Sequence, residues 1–325
     1  MKIIFAGTPE VAVPSLEKLC ETDGIEVAAV ITRPDAPVGR GRKLKPSPVK
    51  TYALENGISV IEISPRDPDF IEAVNKTGAQ AAAVVAYGHI LTQKILDCLP
   101  LGWYNLHFSL LPQWRGAAPV QRSVWAGDEM TGTTVFKITA GMDSGPILGQ
   151  TTAQIGPHDT SGDMFERLAK DGAQLLALSM KTVADGTAKP VEQPGGAYEK
   201  AEKINVEDSI VRFNVPAFAV DRQIRACTPA PGARTAYRPD EKSESIKIII
   251  TKAQIATEEE INKSALAESL KNLTPGQIIA DKKHVWAGTA TCPLEILAVK
   301  PQGKKEMRAA DWARGARISE GACFG

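Results

Sequence analysis

Hydrophobic residues in the first half of the chain fall in short runs separated by segments of helical length. Residues 81–85 are entirely apolar, which is typical of a central parallel strand covered on both faces. After the first apolar run, at residues 2–6, Val13, Leu16 and Leu19 follow a helical spacing. Strands are predicted at residues 2–6, 27–31, 59–63, 81–85, 103–107 and 133–138. Strands that alternate with helices predict a parallel α/β sheet with right-handed crossovers.

The second half of the chain follows a different pattern. Thr160 and Asp163 have the spacing of a capping box and begin a helix predicted to end near Asp185. Residues 184–196 are polar and rich in glycine and proline, which indicates a linker. A helix at residues 216–226 is followed by short β-like runs at residues 233–237, 246–255, 276–280, 284–287 and 294–300. Many short strands with Gly and Pro turns predict a small barrel or sandwich.

These patterns predict a Rossmann-like α/β domain over residues 1–188, a linker over residues 189–206 and a second domain over residues 207–325. With 325 residues, the chain is long enough for two domains with buried cores. Basic and acidic side chains balance at 38 each, so a nucleic-acid contact would have to come from a local basic patch.

The remaining composition narrows the class of protein. The five cysteines include no Cys-x-x-Cys pair, so neither a zinc site nor a disulfide framework is indicated, and no metal is expected. The first apolar run is too short for a signal peptide, and no run approaches the length of a membrane span. We therefore expect a cytoplasmic protein without membrane association. No apolar interface pattern stands out, which favours a monomer.

Asn105 and His107 form the first candidate constellation. Side chains two apart in a strand point to the same face, so these two would project together while Leu106 turns to the opposite layer. A Leu-Leu-Pro break follows at once, which places the pair at a strand end, where pockets form in open parallel sheets. An amide donor beside a titratable ring suits a reaction that builds charge on a carbonyl oxygen. The alternative is a structural histidine.

Asp143 is the second candidate. It lies in a loop flanked by glycines, directly after a predicted strand. An ordinary turn aspartate is the default interpretation of such a position. The functional interpretation is a carboxylate that reaches His107 from a neighbouring strand, where it would raise the imidazole pKa and hold the orientation of the ring.

Residues 32–50 form a basic segment punctuated by glycine and proline, and we expect an exposed loop there. A charge run is usually a solvated surface, but Asp35 is the only acid among its cations, so contact with phosphate groups is the other possibility. Lys203 would extend such a basic track. The first turn, Gly7-Thr8-Pro9-Glu10, lacks the glycine fingerprint of nucleotide sites and is interpreted as fold architecture.

Several motifs in one register resemble the methionyl-tRNA formyltransferases, within the larger group of formyltransferases that use 10-formyltetrahydrofolate. The resemblance covers nearly the whole chain. The most specific matches are Asn105-x-His107, Ser109-Leu110-Leu111-Pro112, Trp114-Arg115-Gly116-Ala117-Ala118-Pro119 and Gly141-Met142-Asp143. Phe108 departs from the pattern, since the family usually has a small residue there. Its ring would either reshape the folate cleft or point into the other layer of the sheet.

The resemblance implies a Rossmann-like formyltransferase domain followed by an OB-like, tRNA-binding β-barrel. It implies transfer of a formyl group from 10-formyltetrahydrofolate to initiator methionyl-tRNA, with Asn105, His107 and Asp143 as catalytic residues. The expected folate contacts are Ser109, Leu110, Leu111, Pro112, Tyr87, Gly88 and Ile90, and the expected tRNA contacts are Arg40, Arg42, Lys43 and Lys203.

Three alternatives stay open from the sequence. A related enzyme could formylate a small amine, such as glycinamide ribonucleotide or an amino sugar. A tRNA-binding module with an inactive α/β part is the non-enzymatic alternative. The third alternative is a nucleotide-dependent Rossmann enzyme, and the missing glycine fingerprint argues against it.

Overall fold

The computed structural model describes residues 1–38, 43–240 and 243–325, and its residues form two compact units. The first unit comprises Met1–Pro119, Met130–Gln154 and Phe165–Glu202. The second comprises Val120–Glu129, Ile155–Met164 and Lys203–Gly325. Residues 189–202, expected to belong to a linker, are therefore part of the first unit.

The elements up to residue 201 follow the predicted alternation closely. The strands are β1 (Lys2–Gly7), β2 (Glu26–Ile31), β3 (Ala36–Val38), β4 (Lys43–Lys45), β5 (Ser59–Ile61), β6 (Ala81–Val85), β7 (Gly102–His107), β8 (Arg115–Gly116), β9 (Met130–Lys137), β10 (Ile147–Gln154) and β11 (Lys200–Ala201). The helices are α1 (Val13–Cys20), α2 (Pro48–Glu55), α3 (Phe70–Lys76), α4 (Gln93–Leu96), α5 (Pro119–Ala126) and α6 (Ser161–Ala184).

The sheet of the first unit has the strand order β10-β9-β7-β6-β1-β2-β5. Strands β1, β2, β5, β6 and β7 run parallel, which confirms the Rossmann-like sheet. The sheet is mixed, because β9 pairs antiparallel with β7 and β10 antiparallel with β9. The predicted strand at residues 133–138 is thus antiparallel, and β10 had not been predicted.

Helix α6 packs closely on the strand that carries the candidate site. A Cβ atom added at Gly172 would lie 2.8 Å from Cδ2 of Leu106 and 3.2 Å from Cγ2 of Thr133. Leu106 is fully buried at this contact. Because side chains alternate along a strand, Asn105 and His107 face away from α6, as the sequence predicted.

The second unit contains a small antiparallel barrel that is nearly closed. Its strands are β12 (Ala233–Arg238), β13 (Ile246–Ile255), β14 (Ile278–Ala280), β15 (Val285–Ala287), β16 (Leu294–Pro301), β17 (Met307–Arg308) and β18 (Cys323–Phe324), and its helices are α7 (Ala217–Cys227), α8 (Glu258–Lys263), α9 (Ala267–Lys271) and α10 (Ala309–Ala316). The order is β14-β15-β16-β13-β12-β18, with β17 on β16. An isolated bridge between Gln277 and Cys323 links the two ends of this order.

Aromatic rings fill the end of this barrel. Phe324 stacks on Phe213 with 5.6 Å between ring centroids, and on Trp312 with 5.9 Å. The Phe324 amide also donates to the carbonyl of Gly276 over 2.7 Å. The predicted small barrel is confirmed.

In the described part of the chain, no helix combines the length and apolarity needed to span a membrane.

Candidate active site

The candidate site begins at the end of β7, an interior strand of the first sheet. This strand lies between β6 and β9, with Asn105 opposite Val84 and His107 opposite Thr134. His107 is 5% exposed, and its ring meets Phe136 edge-on at 6.5 Å between centroids. Asn105 is half-buried, and its side-chain amide has no hydrogen-bond partner among the described residues. The amide is therefore free to bind a substrate oxygen.

The two ring nitrogens of His107 face different groups. Nε2 lies 2.9 Å from the carbonyl oxygen of Trp114. A carbonyl only accepts, so this contact assigns a proton to Nε2. Nδ1 lies 3.8 Å from Oδ2 of Asp143, too far for a hydrogen bond but close enough for a strong charge interaction. The structure thus brings Asp143 to His107.

Burial lowers the pKa of His107 below its usual value, while the charge of Asp143 and the hydrogen bond to Trp114 raise it. Desolvation is the largest of these effects, because the imidazolium ion loses its water in the sheet. Asp143 thus raises the pKa of His107, as expected from the sequence, but the effect of burial is larger and the net shift is downward. The free protein holds His107 neutral near pH 7.

Asp143 is fixed by the loop that follows Trp114. Its Oδ2 accepts a hydrogen bond from the backbone amide of Gly116 over 2.8 Å. Trp114 and Asp143 both have left-handed backbones, with φ of 61° and 48°. Ala86, in the loop after β6, has the same conformation with φ of 48°. Such conformations in residues other than glycine cost free energy and persist where the surrounding structure imposes them.

The Ser-Leu-Leu-Pro turn is held by internal hydrogen bonds. Ser109 Oγ donates to the carbonyl of Gln113 over 2.7 Å, and Thr134 Oγ1 donates to the carbonyl of Ser109 over 2.7 Å. The amide of Leu111 donates to the same Thr134 hydroxyl over 3.1 Å. Ser109 and Leu111 are buried, whereas Leu110 and Pro112 are half-buried. The side chains that can meet a ligand here are thus Leu110 and Pro112.

The loop after β6 contains the other predicted folate contacts. Tyr87 is buried, which raises the pKa of its hydroxyl to about 12. The carbonyl of Gly88 accepts a 2.6 Å hydrogen bond from Arg33, while the Ile90 side chain is 83% exposed. Within the described chain, the backbone amides of His89 and Ile90 donate to no other group. The loop therefore presents open donors beside an exposed apolar side chain.

Phe108 lies in the other layer of the sheet. Its ring is buried and meets the ring of Phe165 on α6 edge-on, with 5.9 Å between centroids. Of the two possibilities for this residue, the structure selects the one in which the ring leaves the Asn105 face unobstructed.

The predicted tRNA contacts are described only in part. Arg40 and Arg42 lie outside the described residues. Lys43 is exposed at the start of β4, and the segment expected to be a loop includes the antiparallel hairpin β3–β4. Lys203 is exposed in the second unit.

Polar contacts connect the two ends of the segment that contains the β3–β4 hairpin with residues next to the sheet. Lys50 Nζ contacts Asp35 at 2.7 Å and Glu62 at 2.9 Å. The hydroxyl groups of Thr32 and Ser47 are 2.7 Å apart.

Sequence reasoning missed one residue that touches this site. Gln193 contacts the loop of Asp143 and also Arg115. It lies in a polar segment rich in glycine and proline, where neither periodicity nor a motif marks it.

Both halves of the chain match known protein families. Residues 1–180 match the formyl transferase family, and residues 203–317 match the formyl transferase C-terminal domain. A methionyl-tRNA formyltransferase of Bifidobacterium adolescentis is 58% identical over 99% of both chains. One of Streptomyces coelicolor is 50% identical over 99% of this chain and 98% of its own.

A solved structure shares the fold. The N-formyltransferase of Helicobacter canadensis, in complex with folinic acid and dTDP-3-aminofucose, superposes with a TM-score of 0.62 at 19% identity. The match covers 91% of this chain and 98% of that one. Motifs, family matches and full-length relatives agree, and the chain belongs to the methionyl-tRNA formyltransferase family.

Proposed function

We propose that this protein transfers the formyl group of 10-formyltetrahydrofolate to the amino group of initiator methionyl-tRNA. The observation that carries the proposal is the cluster at the end of β7, in which a free amide, a buried imidazole and a carboxylate converge. Membership of the family supplies the substrate class. The protein acts in the cytoplasm as a monomer, without a metal and without a membrane.

Asn105 stabilises the charge that develops in the reaction. The amino group of the methionyl ester attacks the formyl carbon, and the carbonyl oxygen becomes an oxyanion in the tetrahedral intermediate. The Asn105 amide is half-buried and has no other partner in the described chain, so it can donate to this oxygen without first breaking a hydrogen bond. Removing one such donor typically slows a reaction about 10²- to 10³-fold.

Asp143 and His107 move the proton. The attacking amine must lose a proton, and the leaving nitrogen of tetrahydrofolate must gain one. Asp143, the more exposed partner of the pair at 20% against 6%, receives the proton. Nδ1 of His107, 3.8 Å away in the free protein, takes it up once substrate binding brings the two groups to hydrogen-bond distance. The imidazolium that forms adds positive charge beside the oxyanion, and the pair returns the proton to the leaving nitrogen. Proton transfer of this kind contributes about 10²- to 10⁴-fold.

The loops around the pair suit a folate ring. The open amides of His89 and Ile90 offer hydrogen bonds to a pterin, and the side chains of Ile90, Leu110 and Pro112 offer apolar contact. Lys43 and Lys203, with Arg40 and Arg42 assigned from the sequence, bind the phosphates of the tRNA.

A formylation assay tests the proposal. The wild-type protein is supplied with 10-formyltetrahydrofolate and either methionyl-tRNA, glycinamide ribonucleotide or a nucleotide-linked amino sugar. We expect turnover with methionyl-tRNA, and a preference for either small amine would refute the proposal. Asn105→Ala and His107→Ala should each lose about 10²-fold or more in kcat while staying folded. Asn75→Ala, which removes an exposed amide from α3, is the matched control and should keep the wild-type rate.

A further inference from the structure

The segment that follows α6 is fastened across both loops of the candidate site. We call residues 191–201 the strap. At one end, Val191 and Ile147 exchange two backbone hydrogen bonds of 2.7 and 2.8 Å. At the other end, the carbonyl of Glu199 accepts from the amide of Trp114 over 3.0 Å, and β11 pairs with β8. The strap therefore spans from the strand after the Asp143 loop to the loop after β7.

Gln193 is the point of the strap where a single side chain touches both loops. Its Nε2 donates to the carbonyl of Asp143 and to that of Gly145, both over 2.8 Å. Its Oε1 accepts from Arg115, over 3.0 Å from Nε and 2.5 Å from Nη2. Both amide hydrogens and the oxygen are thus engaged, which is the full capacity of the group.

These contacts bear directly on the carboxylate. Asp143 has a left-handed backbone, and its carbonyl is held by Gln193 while its side chain is held by Gly116. Arg115 is the residue before Gly116, so Gln193 holds the backbone of Asp143 through its amide hydrogens and the residue beside Gly116 through its oxygen. A shift of about 1 Å in such a group can cost about 10²-fold in rate.

We propose that Gln193 is a positioning residue that fixes Asp143 opposite Nδ1 of His107. The inference rests on the proposed function, because its readout is formyl transfer. Gln193 acts on the chemical step through Asp143 and makes no contact with substrate, so its loss lowers kcat and leaves KM for both substrates nearly unchanged.

Two substitutions separate the donors of Gln193 from its size. Gln193→Ala removes every contact. Gln193→Glu keeps the shape and the oxygen that faces Arg115, but it replaces two donors with an oxygen that faces two carbonyls. We expect both to lower kcat about 10- to 100-fold with KM changed less than about threefold. Gln193→Glu carries the test where Gln193→Ala does not fold.

A double-mutant cycle decides whether the effect passes through Asp143. On an Asp143→Asn background, Gln193→Ala should lower kcat by no more than about twofold further, because the group it positions is already disabled. Losses that multiply would overturn the inference, as would wild-type kcat in both single variants.

Gln223 provides the matched control. In the second unit it accepts from the amide of Arg212 and donates to the carbonyls of Asp208 and Ile210, over 3.1, 2.8 and 2.7 Å. Gln223→Ala should lower Tm as Gln193→Ala does, yet keep kcat. An equal loss of kcat in Gln223→Ala would overturn the positioning role. Wild-type protein that does not formylate methionyl-tRNA would refute the proposed function itself, which separates the two failures.

Discussion

Replacing Asp143 with asparagine tests the charge that faces His107. The change removes the negative charge and keeps the size of the side chain. Asparagine tolerates the left-handed backbone found here, with φ of 48°, and its amide oxygen can still accept from Gly116. We therefore expect a folded protein, so that a loss of activity reports the charge.

The magnitude follows from the distance between the two groups. Unit charges 3.8 Å apart interact with about 4 kcal/mol at an effective dielectric constant of about 20. That energy corresponds to roughly 10³-fold in rate. Because the Asp143 side chain is 20% exposed, water screens part of it, and we expect kcat to fall about 10²- to 10³-fold.

The sign of the accompanying pKa change is fixed. The charge of Asp143 opposes the effect of burial on His107, so removing that charge should lower the pKa of His107 further. NMR titration measures the pKa of His107 directly, because the chain contains four histidines and only four imidazole signals need to be assigned. Asp281 faces Nδ1 of His284 at 3.3 Å in the second unit, and Asp281→Asn is the matched control that should keep kcat. A kcat within threefold of wild type in Asp143→Asn would refute the reasoning.

Two further predictions concern stability. Phe324→Ala should lower the free energy of unfolding by about 3–5 kcal/mol, because it removes a buried ring that stacks on Phe213 and Trp312. Urea denaturation measures this free energy, and a loss below about 1 kcal/mol would contradict the prediction. Because the pKa of His107 is lowered in the folded protein, the unfolded chain binds the proton more readily, and the free energy of unfolding should fall as the pH drops below 6.5. His107→Asn should make the free energy of unfolding depend less on pH in this range. An unchanged slope of that free energy against pH would count against the prediction.

Local patterns predicted most of the first sheet because its strands are short apolar runs. Alternation along β7 was enough to place Asn105 and His107 on one face. Strand β10 was not predicted, because it lies at the edge of the sheet and its residues Ile147–Gln154 are mostly polar or half-exposed. The antiparallel direction of β9 also has no local signal, since direction depends on where the chain returns.

The chemistry of the site was predictable only as far as residue types. Asp143 could be proposed as the partner of His107, but the net direction of the histidine pKa depends on burial, which is a property of the packed sheet. Gln193 lies 50 residues from Asp143 and 78 from Arg115 along the chain, so no spacing rule connects them. The placement of Phe108 likewise required the position of Phe165 on α6.

The left-handed backbones at Ala86 and Asp143 limit how this protein can be improved in the laboratory. Each conformation costs on the order of 1 kcal/mol or more, and glycine there would relieve it. A library selected only for heat resistance would therefore tend to accumulate such substitutions in the loops proposed to hold folate and to carry the carboxylate. The variants that survive longest would be enriched in enzymes that have lost turnover, so selection for stability on this scaffold must be coupled to selection for formyl transfer.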